Sequence, residues 1–162
     1  MNIITDRLLL RDFTEADAPK LIAYHSYARY LEFYAPDDRE PSRVRKLLGT
    51  FISWSMERPR QRYQLAITLD EHLIGTCGVR KETPDSMEAE FGCELDPDYW
   101  GRGYAQEASR AILAFGFGTL ELRRVWARVV PENTRAVRLA ESLGLRRKEA
   151  GLFAILKEEW AG

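Results

Sequence analysis

The stretch Leu95-Asp96-Pro97-Asp98-Tyr99-Trp100-Gly101-Arg102-Gly103-Tyr104-Ala105-Gln106-Glu107-Ala108 decides how this chain is read. It leaves an alternating segment and enters an apolar stripe of helical period, Ala105, Ala108, Ile112 and Phe115, so it is a strand-to-helix turn. Gly101, Gly103 and the small Ala105 keep side chains away from the backbone amides, and those amides meet the positive end of the helix dipole. The turn is a candidate phosphate cradle, with a tight turn that binds nothing as the bland alternative. Two better-known glycine motifs do not fit. A Walker loop needs Lys and then Ser or Thr after its last glycine, where Tyr104 and Ala105 stand. A dinucleotide fingerprint needs a third glycine where Gln106 stands, and it opens a parallel unit rather than following an antiparallel meander.

The meander lies just upstream. Tyr63, Leu65, Ile67 and Leu69 alternate with Gln64, Ala66 and Thr68 as in a half-buried strand. Asp70 and Glu71 form the turn, residues 73–80 the partner strand, and residues 87–95 a third antiparallel strand after the Pro84-Asp85-Ser86 break. Before the meander, residues 3–11 read as one first strand, and Thr14 with Asp17 has capping-box spacing ahead of a helix to about Tyr24. Pro41 opens a second helix with Val44, Leu47, Leu48, Phe51 and Ile52 on one face, ending before Pro59. After the decisive turn come a strand at 124–130, a helix at 132–142 stopped by Gly144, and a last strand at 152–157. The order predicts an α/β (α+β) mixed sheet.

With 162 residues, 45% hydrophobic and 30% charged, the chain has room for one core, so residues 1–162 are read as a single domain. A net charge of −1 argues against a nucleic-acid partner, which needs positive charge to displace counterions. Of 24 basic residues 19 are arginine, chiefly a compositional bias. Cys77 and Cys93 lie in apolar runs and are expected as reduced, buried thiols. His25, at a helix end, and His72, in a hairpin turn, are expected at the surface. With no Cys/His cluster no metal is expected, and with no leader pattern and no run of about 20 apolar residues the expected location is cytoplasmic.

Trp100-Gly101-Arg102-Gly103-Tyr104-Ala105 resembles the acyl-CoA pyrophosphate loop of the GNAT superfamily of N-acetyltransferases, in the form used by the branch with ribosomal-protein N-terminal (RimJ/RimL-type) enzymes. The similarity extends to Thr5, Arg7, Leu8, Leu10, Arg11 and Asp17, to Glu90-Phe91-Gly92, to Asn133 with Gly144, and to residues 153–160. The resemblance implies the GNAT fold: a mostly antiparallel sheet of six to seven strands, splayed into a V and flanked by about four helices. It also implies acetyl-CoA as co-substrate. The loop Gly101, Arg102, Gly103, Tyr104, Ala105 and Gln106 would hold the pyrophosphate, Leu95 and Asn133 the pantetheine arm, and Arg102, Arg135 and Arg138 would meet phosphate charge. The partner would be an amine, either a small molecule or a protein N-terminus, and the protein a monomer or homodimer.

An amine attacking a thioester must first lose a proton. Glu88, Glu90 and Glu94 share strand parity, unless Gly92 introduces a bulge. Glu90 is the first choice for general base, by its match to the branch, and Glu94 the second. The aromatics Tyr27, Tyr30, Phe33, Tyr34 and Trp54 either line an acceptor pocket or pack the early helices; Phe33, Tyr34 and Trp54 are the substrate candidates. The chain departs from the family at the general acid, where Ala136 and Ala140 occupy the usual positions. The alternative function is therefore an acyl-CoA-binding module of the same fold without transfer activity.

Overall fold

Alternation of period two at residues 63–69 builds an interior strand of a sheet whose two faces carry separate cores. The computed structural model describes residues 1–162. In chain order the elements are β1 (Asn2–Ile4), β2 (Leu9–Arg11), α1 (Ala18–His25), α2 (Pro41–Ser55), β3 (Arg62–Leu69), β4 (His72–Arg80), β5 (Glu88–Leu95), α3 (Tyr104–Gly118), β6 (Arg124–Arg128), α4 (Thr134–Ser142), β7 (Arg146–Glu149) and β8 (Leu152–Leu156). All eight strands join one sheet in the order β1-β2-β3-β4-β5-β6-β8-β7, antiparallel throughout except for β5 beside β6. No helix is long and apolar enough to cross a membrane.

Successive residues of β3 point to opposite faces. Leu65 and Ile67 join Val79, Phe91, Ile112, Phe117, Val125 and Phe153 under α3 and α4, whereas Ala66 joins Phe13, Leu21, Val44, Leu48 and Phe51 under α1 and α2. The β4–β5 register is unbroken from Arg80↔Glu90 to Gly75↔Leu95, so Gly92 makes no bulge. Phe91 and Leu95 belong to the α3/α4 core, which turns Glu90 and Glu94 to the opposite face.

Two corrections concern the strands. Residues 3–11 form two short antiparallel strands instead of one, because the Thr5 hydroxyl accepts the Leu8 N–H (3.0 Å) and the Thr5 N–H donates to the Leu8 carbonyl (2.9 Å), closing a turn around Asp6 and Arg7. The sheet has eight strands, beyond the six to seven expected. The other addition, β7, reads Arg-Arg-Lys-Glu, is exposed throughout and lacks apolar alternation. It exists because β8 offers it a free edge.

The β1–β2 turn also holds α3 in place. Glu107, in the first turn of α3, accepts from the Thr5 hydroxyl (2.6 Å), the Arg7 N–H (2.8 Å) and Arg7 Nε (2.6 Å), while Arg7 Nη1 donates to the Arg102 carbonyl (2.9 Å). Burial pushes the Glu107 carboxyl up, but the Thr5 and Arg7 donors outweigh it and hold it below the usual 4.5. Such a group stabilises the fold above its unfolded pKa and loses that contribution as pH falls through its folded value. Glu107→Ala is expected to lower unfolding free energy by about 1–2 kcal/mol at pH 7. In urea denaturation the gap between variant and wild type should shrink below pH ~4.5, the ordinary glutamate value.

Candidate active site

The parallel β5–β6 ladder has three residue pairs, Glu88↔Arg124, Ala89↔Val125 and Glu90↔Trp126. From Phe91 to Leu95, β5 keeps its β4 partner while β6 follows β8, and the sheet opens between them. The Asp96 N–H is spent on Ile74 of β4 (2.8 Å), so the Leu95 carbonyl on the other side of that peptide faces the gap, where Trp100 Nε1 donates to it (3.2 Å).

On one side of the gap sits the glycine turn. Gly101 and Gly103 have φ of 79° and 81°, a left-handed conformation that strains other residues. The first bond of α3 outside the turn runs from the Glu107 N–H to the Gly103 carbonyl (3.0 Å), leaving the Tyr104, Ala105 and Gln106 amides without intrahelical partners at the positive helix end. The turn is anchored by Asp96, fully buried, which accepts the Asp98 N–H (2.9 Å) and pairs with Lys20 Nζ of α1 (2.9 Å). Arg102 is exposed, its guanidinium 5.9 Å from the Tyr99 ring centre, and Arg135 lies 3.8 Å over Trp100. Arg138 is exposed and forms no ion pair. Asn133 caps α4, its Oδ1 accepting the Ala136 N–H (3.2 Å), which leaves its amide nitrogen for another partner. A channel of about 200 Å³ runs past Leu95, Trp100, Ala105, Asn133 and Ala136. Its largely apolar wall, with the free amides beside it, suits a slender arm ending in phosphates.

On the other side, a cleft of about 910 Å³ extends under α2 and the segment joining α1 to α2. Phe33, Tyr34 and Trp54 all line it, and Phe33 and Tyr34 also line the channel. Channel and cleft share Cys93, Glu94, Asn133 and Ala136, so they meet at the open end of β5. Of the two family positions for an acid, Ala136 is at this junction and Ala140 is buried in the core.

The two strand carboxylates have different surroundings. Glu90 lies 3.6 Å from Arg80 Nη2, and Arg80 also donates to Gln64 Oε1 (2.6 Å). Glu94 has phenols instead: Tyr30 and Tyr34 donate to its Oε2 at 2.8 and 3.2 Å, with their rings stacked 4.7 Å apart and 1° from parallel. Burial, then the Glu94 charge, raises both tyrosine pKa values far above 10, so both hydroxyls stay protonated. His25 Nε2 is 3.8 Å from Glu94 Oε1.

His25 corrects the sequence expectation, for it is 2% exposed with both ring nitrogens unpartnered. Its ring packs 5.0 Å from Tyr24 and 4.4 Å from Tyr30, and burial drives its pKa below 6.5, which keeps it neutral. A helix-end position signals nothing about the loop that folds back over it. Cys77 is buried as expected, whereas Cys93 is only half-buried and lines the channel; burial pushes its thiol up to about 12. His72 is exposed in its turn, and no group of three or more His, Cys, Asp or Glu side chains could hold a metal ion. Sequence reasoning missed the braces Arg7–Glu107 and Lys20–Asp96, as well as Arg80; acid–base pairs this far apart in sequence leave no local signal.

The sequence matches the acetyltransferase (GNAT) domain family over residues 7–146. An uncharacterized N-acetyltransferase, p20 of Bacillus licheniformis, is 29% identical over 177 residues, covering 99% of this chain and 98% of that protein. A crystal structure of a GNAT-family acetyltransferase from Bacillus anthracis superposes with a TM-score of 0.83 at 26% identity, covering 98% of this chain and 100% of that one. Mycobacterium smegmatis RimJ, solved in complex with CoA-disulfide, shares the fold with a TM-score of 0.81 at 21% identity, over 96% and 84% of the two chains. With its splayed sheet, its glycine turn and this match across most of its length, the chain belongs to the GNAT acetyltransferase family.

Proposed function

We propose that residues 1–162 form one N-acetyltransferase domain that moves an acetyl group from acetyl-CoA to a primary amine by direct attack. The observation that carries this reading is that free helix-end amides and a strand carboxylate open into one gap between β5 and β6. Acetyl-CoA supplies the acetyl thioester. The amides from Arg102 to Gln106 bind its pyrophosphate, with Gly101 and Gly103 giving them room and Arg102, Arg135 and Arg138 adding positive charge. The second lone pair of the Leu95 carbonyl and the Asn133 amide nitrogen hold the pantetheine arm. Phe33, Tyr34 and Trp54 wall the acceptor side. Two free thiols fit a reducing, cytoplasmic setting.

Geometry favours Glu94 over Glu90 as the base, the reverse of their sequence ranking. Glu90 is beside a guanidinium that draws on its charge, whereas Glu94 is held only by neutral hydroxyls and lies where channel and cleft meet. Glu94 takes the proton from the ammonium, and the neutral amine forms the C–N bond as the C–S bond breaks. The departing thiolate needs a proton that Ala136 cannot give. Tyr34 can: its hydroxyl is at the junction, is protonated, and is hydrogen-bonded to the carboxylate that has just received the amine's proton. As the amide forms, the nitrogen sheds a second proton, which the freed Glu94 carboxylate takes and passes to solvent, so the ammonium's two protons end on the thiol and in water.

Calorimetry should detect acetyl-CoA binding, with Arg102→Ala weakening it about five-fold, as for one exposed charge contact, and Arg147→Ala leaving it unchanged. No binding at millimolar acetyl-CoA overturns the reading. Glu94→Gln should lower kcat about 100-fold or more at pH 7, recovering at high pH where the amine arrives neutral, and Glu90→Gln should cost less. Tyr34→Phe keeps the ring stack, so it should leave Tm and the KM for acetyl-CoA in place while kcat falls about 10- to 100-fold. Acetyl-CoA binding with no thiol release from any amine would instead support the binding-module alternative.

A further inference from the structure

The acceptor cleft carries an uneven set of charges. Its carboxylates are Asp38, Glu90 and Glu94, and its cations are Arg43, Lys46, Arg80 and Arg128. Glu90 is committed to Arg80 at 3.6 Å. Asp38 is committed to its own turn, accepting the Ala35 N–H at 2.9 Å. Glu94 alone is hydrogen-bonded only by neutral donors and forms no ion pair with Lys or Arg, the Arg80 charge reaching it from farther off. The cations are the reverse case. Lys46 and Arg128 form no ion pair, and Arg43 reaches only the exposed Asp37 at 3.7 Å.

The cleft thus offers one place for an ammonium and several for an anion. We infer that the acceptor is a primary amine carrying a carboxylate or phosphate on the same molecule, its ammonium at Glu94 and its anionic group at Lys46 and Arg128. This rests on the acetyltransferase reading and names its substrate class. A polyamine or other polycation fits poorly, because its second ammonium would meet Arg43, Lys46 and Arg128 with no free carboxylate to pair with it. The arrangement also bounds where the anion lies. A second hollow of about 440 Å³ continues from the cleft past Arg80 and Arg128, but there Arg124 is paired with Glu88 at 3.1 Å, and Glu82 and Glu149 line the same hollow. Positive excess is confined to the cleft, so the anion sits near the amine rather than at the end of a long tail.

The test uses three matched dipeptide amides, Ala-Asp, Ala-Asn and Ala-Lys, with free aspartate and spermidine, assayed by thiol release. The expected order of kcat/KM is Ala-Asp over Ala-Asn over Ala-Lys, with about 10-fold between the first two, one charge-assisted contact's worth. Aspartate matching Ala-Asp identifies free amino acids as sufficient acceptors; aspartate falling below it assigns the chemistry to peptide N-termini. Lys46→Glu combined with Arg128→Glu, both exposed side chains, should invert the order. Calorimetry of the N-acetylated dipeptides on CoA-saturated protein reads the same preference without turnover. If Ala-Lys or spermidine equals or exceeds Ala-Asp in rate, or the acetylated Lys form binds as tightly as the Asp form, the inference falls while the acetyltransferase reading stands. If the binding order holds and no amine releases thiol, the charge preference stands and the acetyltransferase reading falls.

Discussion

Everything at the site follows from the short parallel ladder between β5 and β6. Three residue pairs join the strands, and past Glu90 and Trp126 each follows a different neighbour. Splitting a sheet in its middle exposes backbone groups that would otherwise pair, and buried backbone polar groups must find partners. The Leu95 carbonyl finds one in the Trp100 indole, a residue of the very turn that starts α3. The opening is therefore a built feature, closed at one end by pairing and propped at the other by the glycine turn.

Two long-range braces keep that turn from relaxing into the gap. From the edge of the sheet, Thr5 and Arg7 grip Glu107 and the Arg102 carbonyl; from the helical layer, Lys20 reaches the buried Asp96. Hydrogen bonding to Asp96 raises the Lys20 pKa against the opposing effect of burial, so Lys20 stays charged across the neutral range. Both braces end on residues flanking Gly101 and Gly103, the positions where the backbone is left-handed and would otherwise be free to swing. Rigidity is what allows amides to act as an anion site, since donors that must reorganise on binding lose part of what they contribute.

The parts legible in the sequence are those written in local pattern. The β3–β5 meander, the start of α2 at Pro41 and the glycine turn each depend on neighbours a few residues away, and each forms where its pattern says. Parity along β5 correctly put Glu90 and Glu94 on one face, because the register is continuous. What local pattern cannot carry is pairing across the fold. Arg7 and Glu107 are 100 residues apart, and the segment holding Tyr30 and Tyr34 has no periodicity to show that it folds back onto Glu94, 64 and 60 residues away. His25 is misjudged for the same reason: its burial comes from Tyr30, which follows the helix, and not from the helix itself. β7 has no apolar pattern, and its place is set by the unfilled edge of β8.

The contrast between the two glutamates turns on what holds them. The Glu90 carboxylate is engaged by the Arg80 guanidinium at 3.6 Å and is not free to meet an incoming ammonium alone. The Glu94 carboxylate is oriented through Oε2 by two phenols, which leaves Oε1 without a hydrogen bond. Two stacked rings fix the direction of Glu94 while His25, neutral through burial, adds no competing positive charge. The same phenols solve the opposite problem, since a hydroxyl whose pKa is raised by burial and by the neighbouring anion does not ionise on its own and passes a proton to the departing thiolate only as it takes one from protonated Glu94. One cluster can thus accept at one end and donate at the other, and that coupling lets a chain with alanine at positions 136 and 140 keep a complete proton path.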